Sequence, residues 1–117
     1  TNMEIFTDEW VDANEMNSKY PNTFDFPTQD ELENITIGDT VKISNGFERF
    51  WVELKEVNNL YLIGRVDNEL ITNEYNLNDY VMFEKKNIYD IHTIKDKDIL
   101  LKNLNKIKIF FKQKKKK

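Results

Sequence analysis

Cysteine is absent from the 117 residues, which excludes disulfides, thiol catalysis and cysteine-ligated metal. Histidine occurs once, at His92, with no serine or cysteine partner at a recognisable spacing; it reads as a surface side chain at a strand end. Glycine occurs three times, at Gly38, Gly46 and Gly64, and each reads as a turn or a bulge, so there is no Gly-rich phosphate loop. The acidic residues lack the loop spacing of a calcium site and read as a solvated face rather than an acid–base pair. No cofactor or metal is therefore expected, and catalysis is not. No apolar run approaches the ~20 residues of a membrane helix, and the first residues carry no basic-plus-apolar leader pattern. The expectation is a soluble protein of the cytoplasm or another reducing compartment.

What is present is a hydrophobic content of 39% and an aromatic content of 13%, enough for one core rich in large rings. The charge is divided unevenly. Residues 1–93 hold 7 Lys/Arg against 19 Asp/Glu, a net of −12, while residues 94–117 hold 10 Lys against 2 Asp, a net of +8. The chain reads as a single β domain over 1–93, with an N-terminal arm over 1–34, followed by a basic extension over 94–117. The acidic body repels polyphosphate over a Debye length of ~8 Å; the extension does not.

Residues 39–68 organise the chain. Val41 and Ile43 alternate as a short strand, and Asn45-Gly46 is a hairpin signal. Alternation then runs from Phe47 to Val57, breaks at Asn58-Asn59, and resumes from Leu60 to Val66. Phe50, Val52 and Leu54 fall on one face, the expected core; Arg49 and Trp51 fall on the other. In the next strand Leu60, Leu62, Gly64 and Val66 share the inner face, and Tyr61, Ile63 and Arg65 the outer. Gly64 inside a strand predicts a bulge or a close backbone approach. Glu48, Asp67 and Asn68 read as turn-bonding groups. Leu70 to Tyr75 is ambiguous, Tyr80 to Phe83 is a strand, and Ile88 to Ile91 is a short strand or 3₁₀ turn. Gly38-Asp39 and Asn78-Asp79 each precede a strand, a weak echo.

Upstream, Thr7 with Asp8 and Glu9 predicts the start of a short helix whose Trp10 anchors the arm on the core. Phe24 and Phe26 lie on one side of an extended connector between Pro21 and Pro27 and are expected to cover an open end of the core. Thr28-Gln-Asp-Glu31 has the spacing of a capping box, with a helical turn through Leu32. Downstream, Ile99, Leu100, Leu101, Leu104, Ile107 and Phe111 approximate a helical stripe, although Ile107 to Phe111 alternates enough for a strand. The expected fold is mainly β: a small, SH3-like half-open barrel of five or six short strands, a short N-terminal helix, and a basic C-terminal helical or extended segment.

Two binding surfaces stand out. Arg49, Trp51, Tyr61 and Arg65 place arginines and aromatics on the outer face, the residue types that dominate protein–protein hot spots. They support a non-catalytic interaction module with a protein partner. The alternative is nucleic-acid binding through Lys102, Lys106, Lys108, Lys112, Lys114, Lys115, Lys116 and Lys117, whose charge would neutralise phosphates and release counterions. A solvated tail and attachment to an acidic membrane surface are the other readings of that block. An enzyme would need converging barrel carboxylates. The sequence sets no oligomeric state.

At Gly38-Asp39-Thr-Val-Lys42, Glu48-Arg-Phe-Trp-Val-Glu53, Gly64-Arg-Val-Asp-Asn68 and Asn87-Ile-Tyr-Asp-Ile91, the chain resembles the family called domain of unknown function 2314. Members are small domains of bacteria and some large DNA viruses. The resemblance spans roughly Tyr20 to Ile91, rests on the order and spacing of the pieces, and implies a small β-barrel-like fold with no established activity. For a viral member the virion is a further location. Asn78-Asp79 stands where a second Gly-Asp is usual, and the lysine-ended tail lies outside the resemblance.

Overall fold

The computed structural model describes residues 4–20, 26–95, 99 and 101–103. Its centre is an antiparallel meander of β2 (Thr40–Ser44), β3 (Arg49–Val57), β4 (Leu62–Val66) and β5 (Tyr80–Phe83). Two strands extend it. β1 (Ile5–Phe6) runs parallel along β5, and β6 (Asp90–His92) returns to pair antiparallel with β2. The order β1-β5-β4-β3-β2-β6 leaves an open six-stranded sheet, because β1 and β6 do not pair with each other. The protein is thus mainly β with a few short helices, and the expected barrel is not closed.

Alternation places the core as read. Phe50, Val52 and Leu54 of β3 are buried with Val41 and Ile43 of β2, Leu62 and Val66 of β4, and Val81 and Phe83 of β5. Leu32, Ile35, Leu70 and Ile88 close over them, with Trp10 and Tyr75 half-buried at the edge. Gly64 marks the tightest point. A Cβ there would lie 2.7 Å from Val52 Cγ2, 2.9 Å from Val52 Cβ and 3.3 Å from the Phe83 ring. Beside it, between Leu54 and Glu56, the register of β3 against β4 shifts, so both devices expected from Gly64 occur, the bulge on the opposite strand. The bulge moves the alternation by one, which lets Val57 rejoin the core where strict alternation from Phe50 would turn it outward.

The turns are built by side chains. Asn45 Oδ1 accepts from the backbone N–H of Phe47 and Glu48, and Asn58 Oδ1 accepts from those of Leu60 and Tyr61. Phe47 and Leu60 therefore sit in turns, 81% and 83% exposed, not at the ends of the strands expected to include them. The echo between Gly38-Asp39 and Asn78-Asp79 is a repeated turn. Asp39 Oδ2 accepts from Thr36 N–H at 3.0 Å, and Asp79 Oδ2 from Asn76 N–H at 2.9 Å. Gly38 N–H donates to Leu54 and Asn78 N–H to Val66, while the Asp39 and Asp79 carbonyls accept from those same two residues. Asn78 takes φ 74° where Gly38 takes 97°, so asparagine fills the left-handed position.

The arm departs from expectation. The helix α1 (Ala13–Lys19) begins six residues beyond Thr7, because Asp12 is its N-cap, accepting from Glu15 N–H at 3.0 Å, while Ile5 and Phe6 are committed to β1. Trp10 is nevertheless the anchor: its indole N–H donates to Met82 O at 2.7 Å and its ring packs edge-on against Phe50. The second helix α2 (Gln29–Glu33) carries the expected Thr28–Glu31 capping box. Of the two connector phenylalanines, Phe26 packs tilted against Tyr89 with ring centroids 5.6 Å apart, and Phe24 lies outside the described residues. Leu70 to Tyr75 forms no regular element; Glu48 holds it, its carboxylate accepting from Ile71 N–H, Thr72 N–H and the Thr72 hydroxyl. A 3₁₀ turn at Lys85–Asn87 precedes β6, and buried Asn87 links it to the arm by donating to Val11 O at 3.1 Å. In the basic extension, residues 94, 95, 99 and 101–103 are helical.

Two measurements check these constraints. Gly64→Ala is expected to lower unfolding stability by about 1–3 kcal/mol, because the new methyl meets a β-branched Cβ that cannot swing away. Backbone hydrogen bonds hold the Glu48 carboxyl below its ordinary range, so its contribution is complete above the unfolded pKa of about 4.3 and fades as pH falls through the lower folded value. Denaturation curves from pH 7 to pH 2 should show wild type losing its advantage over Glu48→Gln in that acid window.

Candidate outer-face site

The inner face of the sheet is filled, so binding chemistry must come from the outer face or from the ends. Register lines up two outer rows. One runs His92, Thr40, Glu53, Arg65, Tyr80 across β6, β2, β3, β4 and β5. The other runs Asp90, Lys42, Trp51 across β6, β2 and β3.

Trp51 is the centre of this face. Its indole stacks on His92 with ring centroids 4.3 Å apart and planes 25° from parallel, and Lys42 Nζ lies 4.9 Å from the ring centroid. Its backbone is tied to the following turn: Trp51 N–H donates to Asn68 Oδ1 at 2.6 Å, and Asp67 N–H donates to Trp51 O at 2.9 Å. The turn roles expected of Asp67 and Asn68 are thereby filled. The arm, through Trp10, covers the core side at Phe50, and the cover over Trp51 comes from β6.

The four outer residues singled out by alternation do not form one patch. Arg65 is committed to its neighbours, with Nη2 2.8 Å from Asp67 Oδ1 and 3.8 Å from Glu53 Oε1, and Nη1 2.5 Å from Asn78 Oδ1. It orients Asp67 beside Trp51 and locks the second Asp turn. Arg49 lies over the Tyr89 ring at 4.6 Å, and the Phe26 ring packs tilted against the same tyrosine. Burial pushes the Tyr89 hydroxyl up in pKa, and the nearby Arg49 charge opposes that rise. Tyr61 lies four residues along from Arg65, about 13 Å at strand rise. It lines a different hollow, of about 480 Å³, beside Trp10 and Met82, and its hydroxyl pKa is raised by a hydrogen bond to Glu56. Of the tail lysines, Lys102 is helical and exposed, and Lys106, Lys108, Lys112, Lys114, Lys115, Lys116 and Lys117 lie outside the described residues.

Sequence reasoning passed over Thr40 and read His92 as a surface side chain at a strand end, where it stands, exposed, as the last residue of β6. Thr40 faces outward between His92 and Glu53, yet it is only 5% exposed, and its hydroxyl finds no hydrogen-bond partner among the described residues. Alternation could have marked it as outward; nothing local could bring His92 beside it across fifty-two residues. Thr40, Trp51, Asp67 and His92 line a shallow, open hollow on this face. Among the described residues no group of three acidic or histidine side chains is placed to hold a metal, and no helix is long and apolar enough to cross a membrane.

Comparison of the chain with family models, with curated proteins and with solved structures finds no match.

A buried hydroxyl without a partner is costly. Thr40→Val keeps the shape and removes the oxygen, so thermal unfolding of that variant should show a stability gain of about 1 kcal/mol.

Proposed function

We propose that the protein is a non-catalytic interaction module that binds a protein partner through the outer face of its sheet, with Trp51 as the anchor and Arg49 at its margin. The observation that carries this reading is the setting of Trp51. A large aromatic stands half-exposed in the longest strand, steadied by His92, Lys42 and the Asp67-Asn68 turn, with the opposite face of the strand already packed. A rigid, amphipathic ring held in place before binding loses little entropy when a partner covers it. Arg65 serves in this reading by holding Asp67, and Tyr61 belongs to the separate hollow near the arm.

The finer fold reading is also a proposal: an SH3-like barrel left open. It is supported by the four-strand meander, the 3₁₀ turn after β5, and the return of β6 to β2. Membership of the domain of unknown function 2314 family is proposed on the motifs quoted above. In its favour, Asn78-Asp79 adopts the same turn as Gly38-Asp39, so the departure from Gly-Asp leaves the local geometry intact. The competing function, nucleic-acid binding through the lysines from Lys102 to Lys117, rests on the charge division of the sequence.

Affinity capture with the full chain separates the two. Partner binding through the face should survive nuclease and a rise from ~150 to ~500 mM salt, and should fall at least ~30-fold in Trp51→Ala with its fold verified by circular dichroism. Capture that survives Trp51→Ala but disappears with salt, with nuclease, or on changing Lys112 and Lys114 to Lys117 to glutamine would replace this reading with the nucleic-acid one.

A further inference from the structure

Beside the arm, where the β3–β4 turn meets the end of β5, lies the hollow of about 480 Å³. Trp10, Leu60, Tyr61 and Met82 give it an apolar and aromatic lining. Its charged lining is Asp8, Glu9 and Glu84 against one cation, Lys86, which stands 3.7 Å from Glu84. A further carboxylate, Glu56, bonds the Tyr61 hydroxyl. Leu60 is 83% exposed, an apolar side chain that no described residue covers. The hollow is open to one side, so it does not enclose a small molecule. It fits a chain segment laid across it, one that carries apolar and basic side chains together.

Residues 104–117 have that composition. Leu104, Ile107, Ile109, Phe110 and Phe111 are interspersed with seven lysines, and no acidic residue is among them. The net charge of −12 over residues 1–93 draws such a segment toward the body. Reach is sufficient. A Cβ on Gly38 would stand 2.9 Å from the Ile94 side chain, and Gly38 N–H donates to Leu54 O at 2.9 Å, so the C-terminal segment departs beside Leu54. From there β3 runs three residues, about 10 Å, to Val57 and the turn that carries Leu60 and Tyr61. Residues 104–117 span up to about 46 Å when extended. Tethering also gives an effective concentration of the order of millimolar, so a weak contact is populated. We propose that residues 104–117 fold back across this hollow of their own chain, apolar side chains on Trp10, Leu60 and Tyr61 and lysines beside Asp8, Glu9 and Glu84. The docked segment leaves the Trp51 face uncovered and withholds its lysines from phosphate.

The absence of cysteine lets Gln113→Cys carry a single nitroxide label on the ¹⁵N-labelled full chain with every lysine kept. At ~50 mM salt the Trp10 indole N–H and the Leu60, Tyr61 and Glu84 amides are expected to lose at least half their intensity. The Phe47 and Thr72 amides, toward the other end of β3, should keep theirs. At ~500 mM salt the loss should shrink at least twofold. It should shrink as much in Leu60→Ser with Glu9→Lys, two exposed positions, while the spectrum stays that of a folded protein. No selective loss, or equal loss at Phe47 and Thr72, would overturn the proposal. So would a loss unchanged by salt or by the double variant. Loss of the same size in unlabelled ¹⁵N chain mixed with labelled ¹⁴N chain would assign the hollow to the tail of a second copy and overturn it as well.

Discussion

The rest of the structure depends on the close approach of β4 to its antiparallel neighbour β3 at Gly64. Only a residue without a Cβ lets the β4 backbone approach Val52 so nearly, and the register shift between Leu54 and Glu56 lies beside that contact. Together they bend the sheet and reset its alternation, so that both ends of β3 can turn apolar side chains inward. The bend gathers residues from four strands around Phe50, and it leaves the outer face with a separate layer of its own at Trp51.

Loop construction follows a second rule, the use of Asn and Asp side chains to satisfy backbone N–H groups. Asn45 and Asn58 each take two, Asp39 and Asp79 each close a turn onto the residue three before, and Asn68 takes the N–H of Trp51. Within a turn, short polar side chains do this because their oxygen reaches two or three residues along the backbone, whereas Asn68 reaches across to the neighbouring strand β3. The turn at 76–79 does more than reverse the chain. Asn78 also accepts from Arg65, which in turn holds Asp67 at the edge of the hollow beside Trp51. The geometry of a loop is thus passed to the candidate site through one guanidinium.

The arm and the β6 strand divide the covering of the sheet. Trp10, with the indole N–H satisfied by Met82, seals the core edge against Phe50 and Tyr75; burial and the neighbouring Asp8, which accepts from the Tyr75 hydroxyl, push that tyrosine's pKa upward. His92 instead lies over the outer face, where it and Trp51 shelter Thr40. One aromatic contact closes the core, and the other borders a shallow hollow.

The residues alone determined what short-range physics governs. Period-two alternation assigned Phe50, Val52 and Leu54 to the core and Arg49 and Trp51 to the outside. Asn-Gly, Asn-Asn and the two Asp turns set the reversals, Thr28 with Glu31 set the α2 cap, and Gly64 announced the close backbone approach. Tertiary structure decided what depends on pairing between distant segments. Ile5 and Phe6 became a strand only because β5 offers them an edge, and that displaced the helix start from Thr7 to Asp12. The Asn58 turn drew Leu60 out of the strand into solvent. Above all, the return of β6 to β2 set His92 against Trp51 and buried Thr40. Periodicity and turn chemistry act over a few residues and can be read in line, whereas a contact between residues 40, 51, 67 and 92 exists only once the sheet has coiled.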